Sequence, residues 1–230
     1  MSAGGGWLET PVAWAGLMSA CGYVAGLVAD RLVDWIPHRM AADGGLPEGV
    51  GRLRAWRRGL PFLGAALSLV AALRFGPGWP ALAVLAFLGA LLVLIFIDLE
   101  TQLLPDLVTL PLLWAGLLGN SWGLFTDLHA ALWGAAGGYL LLWSVYWLYR
   151  GIARREGIGR GDFKLLAALG AWMGWESLPA ILLFASLAGV IVGGLWLGLG
   201  QRSRHTPIPF GPFLAAAGYG VMLWGKGGMT

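Results

Sequence analysis

Trp79 to Asp98 reads WPALAVLAFLGALLVLIFID, with no charge until its last residue. A helix rises about 1.5 Å per residue, so a run of this length matches a hydrocarbon core about 30 Å thick. It is apolar on every face, which a surface helix of a soluble protein is not. The composition of the whole chain says the same: of 230 residues 58% are hydrophobic and 12% charged, against about 25% charged in an ordinary globular domain.

Outward from this run, about eight apolar stretches are long enough or nearly long enough to cross a membrane. They lie near 11–29, 60–76, 79–97, 107–124, 129–149, 163–176, 178–199 and 207–224, the second weak and the sixth short. The expected fold is an all-α polytopic membrane helical bundle with about eight transmembrane helices. The first stretch does not read as a cleaved signal peptide, because Glu9 precedes it and neither a basic flank nor a small-residue cleavage site accompanies it.

Lys and Arg are retained on the cytoplasmic side, which orients the bundle. Arg31, Arg39, Arg52, Arg54, Arg57 and Arg58 follow the first stretch; Arg150, Arg154, Arg155, Arg160 and Lys164 follow the fifth; Arg202 and Arg204 follow the seventh. With eight spans these connections share one face, the cytoplasmic one, whereas Arg74 and Lys226 face outside. Topology and anionic lipid account for the cations, so no nucleic-acid partner is inferred. Cys21 stands alone in the first stretch and His38, His129 and His205 are scattered, a pattern that offers no metal site.

Residues 1–230 read as one integral-membrane domain, interrupted by a Gly-, Pro- and Arg-rich cytoplasmic loop over 30–59. Glycines four apart (Gly134 with Gly138, Gly189 with Gly193, Gly194 with Gly198) predict close helix packing. Trp7, Trp79, Trp122, Trp175 and Trp224 fall at span ends, where tryptophan anchors at the interface.

A carboxylate beside hydrocarbon is costly, and three stand at cytoplasmic span ends: Asp98, Asp106 and Asp162. Each has a structural reading. Asp106, after Pro105, reads first as a helix N-cap, and Asp162 taken alone reads the same way. Asp98 taken alone reads equally as an interfacial charge paired with a loop arginine.

Three blocks taken together are more specific. They are FIDLETQLLPDLVTLPLLW (96–114), GIGRGDFKLLAALGAWMGW (157–175) and TPIPFGPFL (206–214). In this order they resemble the prepilin leader peptidases, which are GxGD membrane aspartyl proteases. The resemblance implies an aspartyl peptidase core over 79–224 with Asp98 and Asp162 as the catalytic pair. It also implies that the substrate is the leader of a prepilin or pseudopilin, cut on the cytoplasmic side of the bacterial inner membrane in a type IV pilus or type II secretion system. Two carboxylates sharing one proton can hydrolyse a peptide bond, one activating water while the other polarises the carbonyl. No cofactor is needed for that reaction. Gly159 and Gly161 are expected to free the backbone around Asp162, with Lys164 as a supporting group. Pro209 and Gly211, with Pro207 and Pro212, interrupt regular helix and either border the substrate groove or kink a span. Glu100 and Asp106 read as structural or orienting groups. Asp30, Asp34, Asp43 and Glu48 are candidates for drawing in a basic leader.

Many members of that family also methylate the new amino terminus with S-adenosylmethionine, using a long first loop with two CxxC pairs. Ala25–Pro37, AGLVADRLVDWIP, resembles the entrance to that loop, but the loop here is short and has no cysteine. Gly64 stands where the family block R-Y-P-x-V-E has its glutamate. S-adenosylmethionine therefore enters only if methylation is retained, and weak or absent methylation is expected. The reading from another class is a non-enzymatic membrane transporter or assembly scaffold, whose carboxylates would sit near the midplane of broken spans instead of at span ends.

Overall fold

The computed structural model describes residues 11–41, 47, 49–153, 159–199 and 209–225. Its elements are helical: α1 (Pro11–Met40), α2 (Arg54–Arg57), α3 (Leu60–Phe75), α4 (Trp79–Thr101), α5 (Asp106–Ser121), α6 (Leu128–Ala153), α7 (Arg160–Met173), α8 (Leu178–Gly198) and α9 (Gly211–Trp224). A short 3₁₀ turn, Trp175–Ser177, precedes α8. The protein is an all-α membrane protein, and each expected apolar stretch contains one of these helices. Among the described residues, four segments are long and apolar enough to cross a membrane by themselves: Pro11–Met40, Trp79–Thr101, Leu128–Ile152 and Trp175–Trp196. Leu60–Phe75 and Gly211–Trp224 are shorter apolar helices. Large apolar side chains such as Leu73, Leu148, Leu183 and Val190 are exposed, as lipid-facing surfaces require.

The chain divides into two compact units, Met1–Thr101 and Gln102–Thr230. In the first, α1 packs on α3 and α4. Its buried positions, Met18, Gly22, Gly26, Ala29, Val33 and Ile36, recur every three or four residues and form one stripe. A Cβ on Gly22 would strike Ser68 and the Gly64 carbonyl, and one on Gly26 would come within 2.5 Å of the Leu60 carbonyl. The G-x-x-x-G spacing at 22–26, visible in the sequence but passed over there, is thus the α1–α3 contact. Cys21, beside it, is a half-buried free thiol.

The loop expected from residue 30 begins ten residues later. Asp30, Arg31 and Asp34 interrupt the hydropathy of α1, yet Val33 and Ile36 continue its buried stripe, and the helix runs through Pro37 to Met40. Residues 49–53 then turn into α2, a single helical turn.

In the second unit α7 lies at the centre, packed by α5, α6 and α9. From Asp162 to Trp172 every residue except Lys164 is buried. With 14 residues, about 21 Å at the usual rise, α7 is shorter than a hydrocarbon core is thick. Glycine brings α6 against it: a Cβ on Gly134 would meet the Gly170 backbone, one on Gly170 the Gly134 backbone, and one on Gly138 would fall 2.7 Å from the Leu166 carbonyl. The expected close packing therefore holds at Gly134 and Gly138. Gly194 and Gly198 have nothing within 4 Å of such an atom, so that pair marks no close approach, and Gly189 makes only ordinary contact. Trp79, Trp122 and Trp224 stand at helix ends and are 79%, 82% and 81% exposed, as interfacial anchors would be. Arg154, Arg155, Arg202, Arg204, Lys226, Trp7, Asp43, Glu48, His205 and Pro207, each singled out from the sequence, lie outside the described residues.

Candidate active site

Asp98 belongs to the first unit. It stands in the last turn of α4 and is only 5% exposed. Thr101 Oγ1 donates to the Ile97 carbonyl at 2.8 Å, one turn back in the helix. Gln102, with φ 56°, then ends the helix in the left-handed conformation usual after a C-terminus but uncommon for a residue other than glycine.

Two residues beyond Asp98, Glu100 is also buried and gathers the segment after α1. Its Oε2 accepts the Gly51 N–H at 2.9 Å and its Oε1 the Leu53 N–H at 3.1 Å. The Arg57 Nε lies 3.4 Å from Oε1. Arg57 has no exposed surface. It donates through Nη2 to Asp34 Oδ1 at 2.5 Å and through Nη1 to the Asp30 carbonyl at 3.2 Å. Asp30 and Asp34 are thus engaged by an arginine of their own chain. Glu100 thus ties the segment that follows α1 to the last turn of α4. Arg57 was missed, because in sequence it is one of six arginines counted only for topology.

Asp162 belongs to the second unit. It is the third residue of α7, 4% exposed, and its N–H donates to the Gly159 carbonyl at 3.2 Å. The N-cap position falls to Gly159, so Asp162 does not occupy the place that the capping reading gave it. Gly159 and Gly161 correct a second expectation. Gly159 has φ −67° and Gly161 is helical, so neither needs the freedom of glycine. What they supply is space. A Cβ on Gly159 would come within 3.2 Å of the Asp162 carboxylate, and one on Gly161 within 2.7 Å of the Leu104 side chain.

That second contact brings the L-P-D and G-x-G-D blocks together. Leu104 packs on Gly161, and the Lys164 ammonium bridges both Asp106 oxygens at 2.6 and 2.8 Å. Asp106 is the first residue of α5 and makes no side-chain cap; it spends its charge on Lys164 instead. Lys164 thereby joins the starts of α5 and α7. At the other end of α7, Asn120 donates to the Ala171 and Trp172 carbonyls and accepts the Phe125 and Thr126 N–H groups. Trp172 Nε1 donates to the Leu112 carbonyl at 2.8 Å.

Pro209 is buried ahead of α9, and Gly211 and Pro212 form the first turn of α9. The expectation that this run excludes helix fails from residue 211 onward, since proline in a first turn lacks only an N–H that would be unpaired there. Helix α9 packs on α7, where a Cβ on Gly218 would meet Leu169 at 2.6 Å.

Residues 85–194, which contain both aspartates and the Leu104–Gly161 and Asp106–Lys164 contacts, match the model of the type IV leader peptidase family. Over those residues the chain belongs to the type IV leader peptidase family. Curated relatives named prepilin leader peptidase/N-methyltransferase are 52% identical over 159 residues in Stutzerimonas stutzeri, 163 in Aeromonas hydrophila and 161 in Pseudomonas aeruginosa. These matches cover 69%, 71% and 70% of this chain and 55%, 56% and 56% of the relatives. The chain spans about half the length of the curated relatives it matches. No solved structure matches it. The leader peptidase region thus includes the last turn of α4 as well as the whole of α5, α6 and α7.

Proposed function

We propose that this protein is a membrane aspartyl endopeptidase that removes the leader peptide of prepilins or pseudopilins, with Asp98 and Asp162 as its catalytic pair. The observation that carries the reading is the burial of both carboxylates at helix ends inside the matched family region. A carboxylate is rarely kept from water beside apolar helices without a function. In the proposed reaction the two aspartates share one proton. One takes a proton from water as the water attacks the scissile carbonyl, while the other donates to the carbonyl oxygen; the proton then passes to the departing amine. Lys164, Gly159 and Gly161 hold the start of α7 so that Asp162 is presented at its buried end. Pro209 and Gly211 support α7 through α9.

This reading takes the basic connections as cytoplasmic and the protein as one of the bacterial inner membrane in contact with anionic lipid, and it assigns no part to nucleic acid. The deciding test is incubation of the purified protein in detergent with a prepilin substrate, followed by sequencing of the new amino terminus. Asp98→Asn and Asp162→Asn should each abolish cleavage in protein that remains folded. Wild-type rates in either variant would remove the mechanism.

Methylation is a second activity that the relatives' name includes, and it would require S-adenosylmethionine. The first connection here contains no cysteine, and the glycine at 64 packs against α1, where it has no side chain to offer. We expect cleaved product without the 14 Da that one methyl group adds. Mass spectrometry after incubation with S-adenosylmethionine reads this directly, and a methylated product would overturn the expectation without touching the peptidase.

A further inference from the structure

A fully buried arginine at the edge of a membrane protein is an expensive object. Replacing buried ion clusters by well-packed apolar side chains is often neutral or stabilising, so fold stability alone is a weak reason for Arg57 to be where it is. Its position suggests another reason. Three separate segments meet at its guanidinium: α1 through Asp30 and Asp34, α2, of which Arg57 is the last residue, and the last turn of α4 through Glu100. The same glutamate accepts two N–H groups from the chain leading into α2. A third feature fixes the approach: Gly49, at φ +101°, lies so close to the Glu100 carbonyl that a Cβ there would collide with it. Residues 49–57 are therefore fastened to the turn of α4 that carries Asp98, by two hydrogen bonds, an ion pair and a backbone contact.

Terminal turns of helices are where fraying begins, since their last carbonyls have no partner within the helix. A reacting carboxylate in such a turn has to be held to about 0.5 Å by residues that are themselves locked. We propose that Arg57 and Glu100 are positioning residues for Asp98, and that the segment 49–57 is the clamp that keeps the last turn of α4 in its working conformation. The inference rests on the peptidase reading, in which Asp98 is a reacting group. Neither residue is assigned a contact with substrate.

A positioning role and a purely structural one differ in what they change. If the clamp only supports the fold, its loss lowers the folded fraction and leaves the folded molecules with normal turnover. If it positions Asp98, folded molecules bind substrate as before and cut it more slowly. The experiment measures kcat, KM and thermal midpoint in detergent micelles on a prepilin substrate for wild type, Glu100→Gln, Arg57→Lys, Gly49→Ala and Arg74→Gln. Glu100→Gln keeps the size of the side chain and removes its charge. Gly49→Ala leaves every charge in place and displaces the segment sterically, so it serves if the charge variants fail to fold. Arg74, in the last turn of α3 and outside the segment, is the control.

The expected result is a fall in kcat of tenfold or more for Glu100→Gln and Gly49→Ala, with KM within twofold of wild type. Arg57→Lys, which keeps the charge without the planar fork, should retain more turnover than Glu100→Gln. Arg74→Gln should be unchanged. Wild-type kcat in Glu100→Gln and Gly49→Ala, or a loss of activity that only follows the folded fraction, overturns the proposal while leaving the peptidase intact. Failure of the wild-type protein to cut any prepilin overturns both.

Discussion

Replacing Asn120 by alanine should destabilise the second unit by about 3 kcal/mol, and the estimate can be built bond by bond. The side chain is 1% exposed and makes four hydrogen bonds: to the Ala171 carbonyl at 2.8 Å, the Trp172 carbonyl at 3.0 Å, the Phe125 N–H at 2.9 Å and the Thr126 N–H at 3.2 Å. At about 0.5–1.5 kcal/mol each, the range usual in soluble proteins, four bonds give about 2–6 kcal/mol. At the average of about 0.6 kcal/mol measured between membrane helices, they give about 2.4 kcal/mol. Both scales include a loss near 3 kcal/mol, which is about two orders of magnitude in the unfolding equilibrium. The carbonyls involved are among the last of α7, which have no partners within the helix, so truncation leaves them buried and unpaired. Unfolding of the purified protein in mixed micelles, followed by circular dichroism, measures the change. Ser121→Ala, next door but exposed, should stay within about 0.5 kcal/mol of wild type. A loss below about 0.5 kcal/mol for Asn120→Ala would falsify the view that this amide staples the end of α7.

Three further outcomes are expected. Gly161→Ala should cost about 1–3 kcal/mol by pushing Leu104 aside, and Leu104→Ala in the same molecule should recover part of it; strict additivity of the two would count against the contact. Asp106→Asn removes a half-exposed ion pair worth about 0.2–1 kcal/mol, so cleavage should persist at roughly a fifth of wild type or better, and complete loss would mean that Asp106 takes part in the chemistry. Arg54→Cys should react with a membrane-impermeant maleimide only from the cytoplasmic face and Ser121→Cys only from outside; labelling of both from one side would break the proposed topology.

The helices and the two aspartates were legible in the sequence for different reasons. Apolar runs such as 79–97 report their own environment, because hydropathy is a local property. Asp98 and Asp162 stood out because a carboxylate is rare beside such runs, and the surrounding blocks narrowed the choice. What could not be read were relations between distant residues. Arg57 looks like any loop arginine until the fold brings Glu100, Asp30 and Asp34 to it. Asp106 and Asp162 each had a plausible local duty as a cap, and only tertiary contact shows Asp106 turned to Lys164. The glycines at 159 and 161 suggested conformational freedom, whereas the neighbours of a missing Cβ, unknown from sequence, are what exclude a side chain there. The extent of α1 was misjudged because its charges fall where an apolar count stops, although its buried stripe does not.

The glycine contact between α6 and α7 also limits how this protein can move. Gly134 and Gly170 face each other so closely that neither backbone leaves room for even a methyl group on the other, and Gly138 repeats the approach one turn along. Side-chain packing can slide by exchanging rotamers, but two backbones in direct contact have no such slack. Helices α6 and α7 should therefore travel as one rigid body, carrying Asp162 with them. Under the proposed peptidase reading, any opening that admits a polypeptide displaces other helices past this pair.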